Sequence, residues 1–294
     1  MLDLPEFIIA VFTWVDDLLK KSGRLRERGP HPQLSDSEVL TMEIVGEFLG
    51  CQTDKELWEY FRRHWIDWFP RLPGRTSFTR QAANLWMMKL QLLEKLSRGL
   101  GAQDERIHIV DAFPVKVCGF KRSGRSRVFR GQAAYGYCAA KKEIYYGFQG
   151  HLVVTTQGVI TSMSLTAANV SETQGIWDVS GGMGGTLIGD KGYLSKALRE
   201  QMSLQGINLQ TPLRSNMKDD RDPAFVRRLL RIRKTVETVI SQLAGRFGIE
   251  RTWARDPWHL TSRMARKLLA HTMGVWLNVC CGRKPLRMEG LIAA

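Results

Sequence analysis

The sequence predicts a mixed α/β domain over residues 101–285, behind an all-α region over 1–100 and ahead of a short tail, 286–294. Three observations carry that prediction. Apolar residues recur at helical spacing through the first hundred positions, the texture changes to β-branched runs after Gly99–Gly101, and strand-like and helical stretches then alternate. Strands first, then strand and helix in turn, is the order of a mixed sheet with helices on it.

In the N-terminal region, Ser35-Asp36-Ser37-Glu38 fits a capping box, followed by Val39, Leu40, Ile44, Val45, Phe48 and Leu49 on one helical face. A second box, Thr53-Asp54-Lys55-Glu56, opens a helix with Leu57, Tyr60, Phe61, His64 and Trp65. Pro70, Pro73 and Gly74 break the chain. Ser77 is then expected to cap one long helix through Phe78, Leu85, Leu92, Leu93 and Leu96. Two helices around a breaker-containing link suit a helix-turn-helix, with Arg75, Arg80, Gln81 and Asn84 as the natural DNA contacts; a plain helical bundle with solvated polar faces is equally compatible.

Five strand-like runs follow: 107–117, Tyr145–Thr155, Val159–Leu165, Thr186–Asp190 and Ile207–Thr211. Helical pattern covers Leu194–Gln205, the stretch near Val226–Leu243, and Leu260 to Cys280.

Composition narrows the function classes. Apolar residues at 44% and charged residues at 24% exclude a wholly disordered or fibrous chain. With 43 Lys and Arg against 29 Asp and Glu, the net charge of +14 draws the protein to polyanions, above all nucleic acid. The apolar runs Phe7–Val15 and Leu268–Cys281 are too short to span a bilayer, so no membrane partner is expected. The lack of a secretory signal and five scattered cysteines point to the cytoplasm, with Cys280 and Cys281 expected as buried small hydrophobes. No zinc-type Cys/His spacing, phosphate-binding loop, nucleophile elbow or HExxH motif is found. His151, ahead of an apolar strand, is expected to be structural.

Three acids stand out. Asp111 shares the period-2 face of Ile107, Ile109 and Phe113, where a carboxylate is unfavourable unless paired or holding a metal. Asp190 ends a short strand, at the end where ligands bind in open α/β sheets. Glu237 falls at the edge of the stripe Leu229, Val236, Ile240 and Leu243, with Arg233 one turn back. Each also has a structural explanation: Asp111 half-exposed near a strand end, Asp190 capping the next helix, Glu237 pairing with Arg233. Other acids are available too, among them Glu143, Glu172, Asp178, Asp219, Asp220 and Asp222. Clustered carboxylates repel one another. Hard divalent ions such as Mg²⁺ relieve that repulsion, and two ions about 4 Å apart promote in-line phosphoryl displacement. Basic clusters lie nearby: Lys116, Lys121, Arg122, Arg125, Arg127, Arg130, Lys141 and Lys142 follow Asp111, while Arg227, Arg228, Arg231, Arg233, Lys234, Arg251 and Arg255 surround Glu237. Two single-sign clusters beside candidate metal ligands favour a phosphate backbone.

The chain resembles the DDE transposases of bacterial insertion sequences, most closely the insertion sequence 982 group and its insertion sequence 4-like relatives. The resemblance spans nearly the whole length. It rests on Leu34-Ser-Asp-Ser-Glu-Val-Leu40, Val110-Asp-Ala-Phe-Pro114, Gly136-Tyr-Cys-Ala139, Leu165-Thr-Ala-Ala-Asn169, Gly189-Asp-Lys-Gly-Tyr193, Thr211-Pro-Leu-Arg-Ser-Asn-Met217, Arg233 before Val236-Glu-Thr238, and Ala254-Arg-Asp-Pro-Trp-His-Leu260. It implies an RNase H-like core with a five-stranded mixed sheet, Asp111 on the first strand, Asp190 after the fourth and Glu237 on a helix as a catalytic, metal-binding triad. Two Mg²⁺ ions, for which Mn²⁺ could substitute, are the implied cofactors. The implied partners are double-stranded DNA (terminal inverted repeats and target) and a second copy of the chain, at the nucleoid. Lys121, Arg122, Arg125, Arg127, Arg130, Lys191 and Arg233 are candidate phosphate contacts. The chain departs from the insertion sequence 4-like signature at Leu230, where Tyr is expected, and at Ala244, where Lys is expected; Arg246 is the candidate replacement for that Lys. A DNA-binding regulator and an RNase H-like nuclease that cuts without joining are the competing readings.

Overall fold

The computed structural model describes residues 2–22, 32–139 and 141–293. The helices are α1 (Leu4–Ser22), α2 (Asp36–Phe48), α3 (Asp54–His64), α4 (Arg75–Asn84), α5 (Trp86–Gly99), α6 (Phe120–Ser123), α7 (Glu172–Gly175), α8 (Lys196–Leu204), α9 (Pro223–Gly245) and α10 (Pro257–Cys280). The strands are β1 (Ile107–Gly119), β2 (Ala134–Cys138), β3 (Glu143–Thr155), β4 (Ile160–Ala167), β5 (Gly185–Ile188) and β6 (Ile207–Gln210). The chain forms two compact units, Met1–Leu96 with Leu243–Ala294, and Ser97–Gln242. Residues 243–285, expected with the sheet, fall by their contacts with the N-terminal helices.

In the helical unit both capping boxes form. Ser35 Oγ accepts from the Glu38 amide while the Glu38 carboxylate accepts from the Ser35 amide, and Thr53 and Glu56 repeat the exchange. α2 is covered on every side, with Val39, Leu40, Met42, Ile44 and Val45 wholly buried, and it packs against α1, α3, α4 and α10. That burial traps charge. Lys89 of α5 donates to Glu43 of α2 at 2.6 Å, to Ala82 O at 2.9 Å and to Ser262 Oγ at 2.8 Å. Arg266 of α10 reaches Glu47 at 2.5 Å and Asp54 at 2.8 Å; Lys267 reaches Glu47 at 3.0 Å; Arg263 reaches Asp54 at 2.6 Å. Buried charges persist only when paired and hydrogen-bonded, and here each acid meets a base from another element.

The same network explains why the long helix expected from Ser77 is two helices. The carbonyl of Ala82, which would accept from residue 86, instead accepts from Lys89 Nζ and Ser262 Oγ, and the Leu85 amide tightens onto Ala82 O at 3.3 Å. α4 starts at Arg75, with Gly74 rather than Ser77 at its cap. The link between α3 and α4, Trp65–Gly74, is longer than the three- or four-residue turn of a helix-turn-helix. Residues at the C-terminus are anchored: Leu2 bridges Ile292, and Met288 and Leu291 are buried. Cys280 and Cys281, expected inside, are exposed, because α10 ends there and leaves its packed face.

The second unit carries one six-stranded sheet in the order β2-β3-β1-β5-β6, with β4 also on β3. β1, β3 and β4 are antiparallel neighbours, and β1, β5 and β6 are parallel. β2 pairs with residues 143–147 of β3 and β4 with residues 148–154, so the two occupy the edge of β3 away from β1 in succession. The sheet therefore has one strand more than the five expected. Ala134-Tyr-Gly-Tyr-Cys138 is only five residues long, has no fully buried position, and sets Ala134 and Gly136, both disfavoured in strands, against its two tyrosines, so its strand signal is weak. Helix α8 and the 3₁₀ turn Ile176–Asp178 that follows α7 cover the Val110 face, where Val153, Ile176, Leu187, Leu198, Met202, Ile207 and Leu209 form the core.

Candidate functional site: an acidic cluster at the strand ends

Asp111 and Asp190 meet through strand register. β1 and β5 run parallel with Ile109 opposite Ile188, and each chain continues two residues to its acid. The interval of 79 residues between the acids is thus the offset of the two strands, and both carboxylates emerge at the carboxyl end of the parallel pair, where α/β sheets bind ligands. Asp111 accepts from the Ala112 amide at 2.8 Å, and Asp190 accepts from the Gly192 amide at 2.6 Å, capping a single 3₁₀ turn, Lys191–Tyr193. Because β2 adds a strand, Asp190 follows the fifth strand in chain order rather than the fourth.

Glu237 lies on α9, its carboxylate 2.5 Å from Arg233 Nη2. The capping expected of Asp190, here of a 3₁₀ turn, and the pairing expected of Glu237 are therefore both present. Burial pushes the Asp111 carboxyl up to about 6; the Ala112 hydrogen bond opposes this, Asp190 and Glu237 add to it, and Arg233 is the cation that pulls it down. One carboxylate after β5, a second on α9 and the arginine beside it thus act on the partly buried Asp111.

One member went unrecognised in the sequence. Glu172, the first residue of α7 after β4, is pushed up to about 7 by burial and by the nearby carboxyls of Asp190 and Asp111. Gly192 makes room for it: a Cβ there would overlap Glu172 Oε2 and sit 2.9 Å from Asp190 Oδ1. Only the acidic residue type and its place after a strand hinted at this, and the other acids shared those hints. The structure separates them: Glu143 pairs with Lys116, Asp219 with Arg221, and Asp220 with Lys218, while Asp222 accepts from the Ala224 amide at the start of α9.

The candidate DNA contacts fall in different settings. Arg75, Arg80 and Asn84 are exposed on α4. Gln81 is buried and donates to Leu34 O at 2.9 Å and Asp36 at 2.8 Å, so its amide is committed inside the helical unit. Lys121, Arg122, Arg125, Arg127 and Arg130 are all exposed on and after α6, and Lys191 is exposed beside Asp190. Arg246 stacks its guanidinium 5.4 Å above the Phe48 ring. His151 is buried, 2.9 Å from Thr166 Oγ1.

Among the described residues no three His, Cys, Asp or Glu side chains stand close enough to hold one ion as they are placed. The donors nevertheless fit a hard divalent cation in kind: all are carboxylate oxygens, crowded and partly buried, with a single arginine acting on Asp111.

An acidic site at the strand ends of a mixed sheet is an arrangement suited to phosphoryl chemistry. The family model described as "Transposase DDE domain" matches residues 101–257, more than half of the chain, and the protein belongs to that DDE transposase family. No curated protein sequence matches the chain. Among solved structures, the chain is similar to one titled "Cryo-EM structure of piggyBac transposase synaptic complex with hairpin DNA", at 10% identity and a TM-score of 0.49, over 97% of this chain and 76% of that one. Among the described residues no helix is long and apolar enough to cross a membrane.

Proposed function

We propose that this member of the DDE transposase family is the transposase of a bacterial insertion sequence of the 982 group, cutting and joining DNA at the element's terminal inverted repeats. The observation that carries the reading is the register of β1 on β5, which sets Asp111 beside Asp190, with Glu237 and Arg233 acting on the same carboxylate. The strand order β4-β3-β1-β5-β6, three antiparallel and two added in parallel, supports an RNase H-like core.

Asp111, Asp190 and Glu237 would hold two Mg²⁺ ions, with Mn²⁺ as a substitute. Such cations would supply charge stabilisation for the attacking and leaving oxygens of an in-line phosphodiester displacement. The protein's own groups orient the substrate. Arg233 fixes the Glu237 carboxylate and keeps positive charge beside Asp111; Lys191 grips a phosphate next to Asp190; Lys121, Arg122, Arg125, Arg127 and Arg130 track the backbone. Arg246 stands in for the absent lysine at 244. The helices of residues 1–100 bind the inverted repeats through Arg75, Arg80 and Asn84 in the cytoplasm, at the nucleoid. Because two element ends must be joined, a homodimer assembles on DNA.

Replacing Asp111, Asp190 or Glu237 by Ala is expected to abolish Mg²⁺-dependent cleavage of element ends, a loss of at least about a thousandfold for groups that act as a unit. Unchanged cleavage in any of the three overturns the assignment. Joining of pre-cut ends to a target duplex separates a transposase from a nuclease that only cuts.

A further inference from the structure

We infer that Glu172 is a fourth carboxylate of the acidic site and binds a divalent cation together with Asp190, with the Tyr193 hydroxyl facing the same position. The inference rests on the site reading above. Two independent observations support it. The first is the close approach of Glu172 to Asp190: Oε2 of one and Oδ1 of the other both crowd the space a Cβ on Gly192 would fill, the former overlapping it and the latter 2.9 Å away. Two acid side chains do not approach each other over one glycine without a cation or a proton between them.

The second is Tyr193. It is wholly buried, packed in the core of the sheet unit with Val110, Val153 and Leu187, and its ring lies against Gly189. Among the described residues its hydroxyl has no hydrogen-bond partner, and the charges acting on it are the carboxyls of Glu172, Asp111 and Asp190. A buried tyrosine hydroxyl usually finds a partner. Here three acids act on it, Asp111 from within β1, Glu172 from the start of α7 and Asp190 from the turn after β5, so the missing partner belongs to the cluster. A cation drawing Glu172 and Asp190 onto itself leaves a carboxylate oxygen free to accept from Tyr193, a second layer of the kind that orients metal ligands.

Glu172 reaches this position by local structure. β4 ends at Ala167, Ser171 caps α7 with its box partner Gln174, and Glu172 is the first residue inside the turn. The remaining acids of the sheet unit with nearby basic partners, such as Asp219 on Arg221, lie in ion pairs.

The test is Mn²⁺ binding to the full-length protein without DNA, followed by titration calorimetry and by the rise of the unfolding temperature on adding Mn²⁺. Wild type is expected to bind, D190N to lose binding, E172Q to weaken it about tenfold or more, and E172D to fall between E172Q and wild type. D219N, at an ion pair outside the cluster, is expected to match wild type. Far-ultraviolet circular dichroism checks folding, and E172D carries the test where E172Q is unfolded. Binding by E172Q within twofold of wild type, with D190N defective, overturns the role of Glu172 and leaves the triad standing. No Mn²⁺ binding by wild type overturns the cation site itself.

Discussion

Gly192 shows how a single residue shapes the acidic cluster. Its missing side chain is the space that Glu172 and Asp190 share. Gly192→Ala is expected to fold, displace the Glu172 carboxylate, and lower single-turnover Mg²⁺-dependent cleavage by about tenfold or more. His271 acts differently, through burial alone, which holds its imidazole down to about 3 from an ordinary 6.5. Between those values the unfolded chain takes up a proton that the folded chain refuses. His271 therefore leaves stability unaffected above about pH 6.5 and lowers it progressively as the pH falls towards 3, by up to about 1.4 kcal/mol per pH unit. Urea unfolding of His271→Leu at several pH values is expected to show a shallower loss between pH 6.5 and 4 than wild type.

Among the elements, two kinds of long-range contact decide the structure. Register places the acids, since β5 on β1 fixes where position 190 stands relative to 111. Charge decides the helices, since α2, α5 and α10 are joined by buried ion pairs rather than by apolar stripes alone. Removing one partner leaves the other charged and dry. Lys89→Met is expected to destabilise the protein by about 3–5 kcal/mol, whereas the double change Lys89→Met with Glu43→Leu is expected to recover most of that loss, Arg266 retaining Glu47 and Asp54. Urea denaturation of the two variants checks both expectations.

For the whole molecule the governing quantity is the net charge of +14, carried in part by exposed arginines and lysines around α6 and along α9. A protein neutralising six to ten phosphates is expected to lose about 10³–10⁵ in DNA affinity between 50 and 200 mM salt, with log affinity linear in log salt. Combined replacement of Arg125, Arg127 and Arg130 by Ala is expected to flatten that slope by about one for each phosphate no longer neutralised, whatever the DNA sequence. Fluorescence anisotropy over a salt series measures it; an unchanged slope removes this segment from the DNA-binding surface.

Much was legible in the residues themselves. The capping boxes at Ser35 and Thr53, the five strand-like runs, the basic charge and the ordered acids at 111, 190 and 237 all depend on near neighbours, whose effects on the backbone are short-ranged. What the tertiary structure decided lies between residues distant in the chain. Glu172 could be told from Glu143 or Asp219 only by its partners: Lys116 and Arg221 neutralise those two, while β4 and α7 carry Glu172 to Asp190. The broken helix at Leu85, the buried amide of Gln81 and the exposed cysteines at 280 and 281 have the same origin. Which polar group is buried, and against what, is set by packing between elements, and the local pattern of a chain carries no record of it.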